Sequence, residues 1–169
     1  MKSIHAAIAL GSNLGDSLNT VKTAVEMLNN AKILTVKSVS SWYQTAPVGP
    51  PQPDYINGTA IVELQPQYNT LEQNAHALHQ ILLQIEAEFG RVRRERWGPR
   101  TLDLDLLLFD QLILDTPSLQ IPHPRMAERA FVLIPLAEIA PDWTHPVSGK
   151  AIALMRETVD CTGVKKIHD

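Results

Sequence analysis

The chain has 169 residues, 44% of them hydrophobic and 20% charged, enough for one compact domain with a core of its own. A net charge of −3 gives no global attraction for polyanions, so nucleic acid is not an expected partner and any basic cluster must answer a local anion. A single cysteine, Cys161, excludes an intramolecular disulfide, no run approaches the roughly 20 apolar residues of a membrane span, and the apolar run at the N-terminus is too short for a signal peptide, so a soluble cytoplasmic protein with no membrane partner is expected.

Residues 4–10, IHAAIAL, read as an apolar strand ending at Gly11. The following GSNLGD lacks the spacing and the lysine of a P-loop and reads as a tight strand-to-helix turn with no catalytic role. Asp16 or Ser17 can cap a helix whose apolar positions Leu18, Val21, Val25 and Leu28 keep the helical period. Residues 33–45 and 55–64 are β-rich and are predicted as two strands joined by the Gly/Pro-rich APVGPPQPD. A second helix is marked by a Thr70/Gln73 capping box, by one face of Leu71, Ala75, Leu78, Leu82, Ile85 and Phe89, and by Gly90 as a left-handed stop. Next come RVRRERWGPR (91–100) and a strand over 101–109. The order β-α-β-β-α-β is the split βαβ pattern of a ferredoxin-like α+β fold, an antiparallel sheet with helices packed on it. Residues 111–145 add a C-terminal hairpin and short helices with Pro124 and Pro135 as first-turn prolines, and with no internal repeat or linker 1–169 reads as a single domain.

The strand TLDLDLLLF holds two carboxylates that an apolar strand does not want. Residues two apart in a strand share a face, so Asp103 and Asp105 stand side by side while Leu102, Leu104 and Leu106 turn to the opposite, buried face. Two anions held that close need a counter-charge, and Mg²⁺ is the natural one, since it is usually held by one or two carboxylates together with substrate phosphates. An isolated D-x-D more often pairs with arginines at a strand edge. Here Arg91, Arg93, Arg94, Arg96 and Arg100 lie just upstream, and their planar forks suit phosphate oxygens, although at least two of the five are expected only to be solvated. A flat polar heterocycle is well held by aromatic rings with an amide at its edge, which Tyr55, Phe131 and Asn57 can supply, although burial in the core is the commoner fate of Phe131 taken alone. Asn57 is a disfavoured residue in its strand, which argues for a role beyond structure. His123, between two prolines, reads on its own as a surface or hydrogen-bonded histidine.

Four stretches, ALGSNLGD, YQTAPVGPPQPDYINGTAIVEL, GRVRRERWGPRTLDLDLLLFD and IPHPRMAERAFVLIPLAEIAP, in this order over roughly residues 4–142, resemble the 6-hydroxymethyl-7,8-dihydropterin pyrophosphokinase family of folate biosynthesis; the third is very specific. The resemblance implies a single-domain α+β enzyme that transfers a pyrophosphoryl group from MgATP to the hydroxymethyl oxygen of 6-hydroxymethyl-7,8-dihydropterin and releases AMP. It implies two Mg²⁺ ions on Asp103 and Asp105, and catalytic roles for Arg91, Arg93 and Arg100 beside those aspartates. The pterin positions fall on Thr45, Val48, Tyr55, Asn57, Trp97 and Phe131, with Thr45 and Val48 acting through backbone groups. The ATP positions fall on Glu86, Arg91, Arg93, Arg100, His123 and Arg129.

Several places depart from the family pattern. The segment from Gly90 to Trp97 is one residue shorter than in other members, which leaves Arg93 and Arg94 as alternatives for the second loop arginine. Pro124 stands where some members have an aromatic residue, and Ala46 where a proline is common. The tail from about residue 146 carries little resemblance, and Lys165 and Lys166 are expected to face water. A monomer is expected.

Two readings of other classes are open. A nucleic-acid or nucleotide-sensing module would bind polyanions in a salt-sensitive way and need neither aspartate. A two-metal nuclease or phosphatase would need further carboxylates around the metals, and none is placed there by sequence pattern. No convincing general base for the alcohol is visible.

Overall fold

The structure is a computed structural model that describes residues 2–46, 51–90 and 101–167. In chain order the core elements are β1 (Ile4–Ser12), α1 (Ser17–Asn30), β2 (Leu34–Val39), β3 (Tyr43–Thr45), β4 (Tyr55–Leu64), α2 (Leu71–Phe89) and β5 (Asp103–Phe109). A hairpin of β6 (Leu114–Asp115) and β7 (Gln120–Ile121), a 3₁₀ turn at Met126–Glu128, α3 (Ala130–Ile139), α4 (Ile152–Glu157) and β8 (Val164–Lys166) follow. The main sheet is antiparallel in the order β5-β1-β4-β3-β8, with β2 also paired to β4. This is the expected βαββαβ core with its C-terminal hairpin and short helices.

Strand periodicity decides which helices cover which face. Ile4, Ala6, Ile8 and Leu10 of β1 share a core with Val21, Ala24 and Leu28 of α1 and Ala75, Leu78 and Leu82 of α2. Ala7, with Ile61 of β4 and Leu107 of β5, packs on the other side against Val132, Leu133 and Leu136 of α3 and Ile152 and Met155 of α4. In β5 the alternation is reset once. Ala7 pairs with Leu108 but Ile8 with Leu106, so Leu107 is an extra residue, and the bulge sends both Leu107 and Leu108 to the α3 side. Leu102, Leu104 and Leu106 enter the α1/α2 core as expected, leaving Asp103 and Asp105 half-buried on the opposite face.

Four expectations need correction. The strand expected over 33–45 breaks into β2 and β3 at residues 40–42, where the Trp42 ring lies so close over Gly58 that a Cβ there would sit 2.5 Å from it. The Ser40 hydroxyl holds the break by accepting the Thr59 N–H at 2.9 Å. Gly90 has φ −128°, not a left-handed value; its N–H donates to the Glu86 carbonyl at 2.9 Å and simply closes the last turn. α3 starts only at Ala130, so Pro135 lies inside it and withholds the N–H that the Phe131 carbonyl would otherwise accept, while Pro124 sits in the turn before the 3₁₀ segment. The tail forms α4 and β8, and Lys166 lies 3.6 Å from Glu138 rather than only facing water.

Candidate active site

The strand register sets the site. Asp103 of β5, Gly11 of β1, Asn57 of β4 and Tyr43 of β3 form one row across the sheet, and Asp105, Ala9 and Thr59 form the next row on the same face. This is the face that α3 and α4 cover further along. Between the aspartates and Asn57 stand only Gly11 and Ala9, so the floor there is nearly bare backbone. Asn57 leans over it: a Cβ on Gly11 would lie 2.8 Å from Asn57 Nδ2.

Thr45 and Tyr55 oppose each other two residues further along, on the same face as Asn57. Asn57 Oδ1, Thr45 Oγ1 and Thr59 Oγ1 are buried without a hydrogen-bond partner among the described residues. Each such atom costs about 1–3 kcal/mol while it is unpaired, and Ser12 Oγ, on the opposite face of β1, is a fourth. Phe131 lies at the start of α3, half-buried against the cluster that Ala9 also touches, and the Arg129 guanidinium carbon is 5.6 Å from its ring centre. The expected pterin residues Thr45, Tyr55, Asn57 and Phe131 thus fall on one side of the sheet.

On the other side of Asp105, at the open edge of β5, is a cleft of about 350 Å³ lined by His79 of α2, Leu104, Asp105, Leu106, residues 117–120 of the hairpin turn, His123 and Pro124. His123 donates its N–H to the Leu107 carbonyl at 2.9 Å, and its Nδ1 accepts the Arg125 N–H at 3.2 Å, which leaves Nε2 as the free donor. Burial pushes the His123 pKa below its ordinary value, with Arg129 and Arg125 adding to the effect and Asp105 opposing it. Burial, and then His76, lower His79 in the same way against the pull of Asp105. Both rings are therefore neutral hydrogen-bonding groups at neutral pH. His79 was missed in the sequence, although its seven-residue spacing from Glu86 on α2 places the two on one helix face.

Glu86 is placed more specifically than its expected ATP position suggested. Its Oε2 accepts the N–H of Leu104, the residue between the two aspartates, at 2.7 Å. The carboxylate thus ties α2 to the edge of β5, and with Asp103 it lines a second cleft of about 280 Å³. Sequence pattern placed no third carboxylate near the pair; the helix brings one. Among the described residues no group of three His, Cys, Asp or Glu side chains could hold a metal. Asp103 and Asp105, two residues apart on one face of β5, are of the residue type that could hold Mg²⁺, which is usually held by one or two carboxylates together with substrate phosphates.

The GSNLGD turn has the expected shape, with Gly15 at φ 72° and the Asp16 side chain accepting the Asn19 N–H at 3.3 Å. It also carries a tie to the site. Buried Asn13 donates through Nδ2 to Gln52 Oε1 at 2.8 Å and to the Pro53 carbonyl at 3.1 Å, pinning the β3–β4 connection just before Tyr55. Val48, Arg91, Arg93, Arg94, Arg96, Trp97 and Arg100 lie outside the described residues.

The family model described as 7,8-dihydro-6-hydroxymethylpterin-pyrophosphokinase (HPPK) matches residues 7–141. The chain is 49% identical over 161 residues to the 2-amino-4-hydroxy-6-hydroxymethyldihydropteridine pyrophosphokinase of Synechocystis sp., covering 94% of this chain and 78% of the relative. It is 48% identical over 135 residues to the protein of the same name from Bacillus subtilis, covering 79% of this chain and 77% of that one. In fold it resembles the crystal structure of Plasmodium falciparum HPPK-DHPS with SDX-DHP, with a TM-score of 0.71 at 14% identity over 99% of this chain; the chain spans 48% of that protein's length. These matches place the chain in the 7,8-dihydro-6-hydroxymethylpterin-pyrophosphokinase family.

Proposed function

We propose that the N-terminal end of β5 is where the two substrates of this pyrophosphokinase meet. As a member of its family the protein transfers a diphosphoryl group from its co-substrate ATP to the hydroxymethyl group of 6-hydroxymethyl-7,8-dihydropterin, in folate biosynthesis. The observation that carries the siting is the row Asp103–Gly11–Asn57, with buried unsatisfied polar atoms on one side of the aspartates and a histidine-lined cleft on the other. The pterin ring lies over Gly11 and Ala9, flanked by Tyr55 and Phe131, with the Asn57 amide and the Thr45 backbone at its edge. ATP occupies the cleft, within reach of His79, His123 and Arg129.

Asp103 and Asp105 hold Mg²⁺, two ions in this reading, which when bound neutralises phosphate charge and polarises the transferred group. The chain's own part is positioning. β5 fixes both carboxylates in the plane between the two substrates, Glu86 fixes β5, and Asn13 fixes the approach to Tyr55. Arg91, Arg93 or Arg94, and Arg100 offset charge on the diphosphoryl group during transfer. The reading extends to one catalytic domain over 1–169, acting as a cytoplasmic monomer; among the described residues no helix is long and apolar enough to cross a membrane.

Identifying the nucleotide product tests the reaction. Attack of the hydroxymethyl oxygen on the β-phosphorus breaks the bond between the α- and β-phosphates, so AMP is expected one-for-one with the pterin diphosphate, by chromatography or phosphorus NMR. Pterin-dependent ADP would overturn this reading, and AMP without pterin would indicate a hydrolase.

A further inference from the structure

β8 lies beyond residues 7–141, where the family model matches, yet it is the outermost strand on the groove side of the sheet. It pairs with β3, setting Lys166 opposite Tyr43, Lys165 opposite Gln44 and Val164 opposite Thr45, and the Ile167 N–H donates to the Trp42 carbonyl at 2.8 Å. A strand as short as β3, three residues from Tyr43 to Thr45, has little hold of its own on β4. A second grip comes from α3. The Glu138 carboxylate accepts the Ser41 N–H, accepts the Tyr43 hydroxyl at 3.1 Å and pairs with Lys166 at 3.6 Å. Burial alone would raise the Glu138 pKa, but the Ser41, Tyr43 and Lys166 contacts outweigh it and keep the group ionised.

We infer that β8 and Glu138 form a clasp that positions β3, and with it Thr45 and the wall of the pterin groove, so that the C-terminal tail is a determinant of pterin affinity. The inference rests on the proposed placement of the pterin beside Asn57, which pairs with Tyr43. When the clasp is loosened, β3 samples other positions and the ligand must order it on binding, which weakens pterin binding without touching the chemistry. The nucleotide cleft is spared because it lies along β5, at the far side of β1 and β4 from β3. Glu138 and Lys166 are thus positioning residues rather than catalytic ones.

The test compares KM for each substrate and kcat in full-length Glu138→Ala, Glu138→Gln and Lys166→Glu, with thermal melts to establish folding. Glu138→Ala is expected to raise the pterin KM about tenfold, with kcat and the ATP KM within about twofold of wild type. Glu138→Gln keeps one oxygen to accept the Ser41 N–H, and its amide NH₂ can donate to the Tyr43 oxygen, so it is expected to restore most of that loss. Lys166→Glu sets a like charge beside Glu138 and is expected to raise the pterin KM about threefold; it carries the test if Glu138→Ala does not fold. An unchanged pterin KM in folded variants, or equal rises for both substrates, overturns the clasp. Tyr55→Ala separates the two levels: if it weakens pterin binding while the clasp variants do not, only the clasp fails, and if it leaves pterin binding unchanged the groove reading fails and the clasp falls with it.

Discussion

Asp105→Ala and Asp103→Ala are each expected to lower turnover by about two to four orders of magnitude while leaving the fold intact. In the proposed siting, several kcal/mol of transition-state stabilisation by a bound metal would depend on these carboxylates, and each 1.36 kcal/mol is about tenfold in rate. The fold should survive because Leu102, Leu104 and Leu106, on the opposite face, carry the strand's hydrophobic contribution, and because removing one carboxylate relieves a like-charge pair. Single-turnover rates over a range of Mg²⁺ concentrations, with melting curves for each variant, check this. Near-normal rates for both variants at saturating Mg²⁺ would remove the metal assignment.

Gly11→Ala is expected to raise the pterin KM by about 30- to 100-fold with little change in stability or in the ATP KM. The new Cβ would lie 2.8 Å from Asn57 Nδ2, and that atom is the far end of a side chain that can swing aside, so the fold can absorb the change. In the proposed placement the pterin would lose its contact, because the displaced amide would no longer meet the pterin edge and would leave paired groups unsatisfied, at about 2–3 kcal/mol. Steady-state kinetics with each substrate varied in turn checks this. A pterin KM equal to that of wild type would mean that the ligand does not lie over Gly11.

Local pattern carried much of this. β4 runs over the expected residues 55–64, and α2 starts after Thr70, whose hydroxyl accepts the Gln73 N–H at 3.1 Å, because both elements are specified by their own alternation and caps. The shared face of Asp103 and Asp105 was legible for the same reason, since a period of two needs no partner strand to be read. What escaped depends on residues distant in sequence. The break between β2 and β3 follows from Trp42 sitting over Gly58, and the β5 bulge follows from its fit to β1. The amide of Leu104 found Glu86, and the tail found β3, only once helices and strands had packed. The groove was half legible: Asn57 stood out as a misfit in its strand, but the role of Gly11 depends on the cross-strand register.

The most direct measurement of the siting uses Mn²⁺ as a paramagnetic replacement for Mg²⁺. Titrated with a non-hydrolysable ATP analogue into isotopically labelled protein, it should broaden first the amide resonances of residues 103–105, then those of Ala9 and Gly11 opposite them, and next those of Asn57 and Thr59. Asp105→Ala should abolish that pattern while leaving the remaining spectrum native. Broadening centred instead on the α1/α2 face, or on the Glu138–Lys166 side of the sheet, would contradict the placement of the metal-held diphosphoryl group at the end of β5.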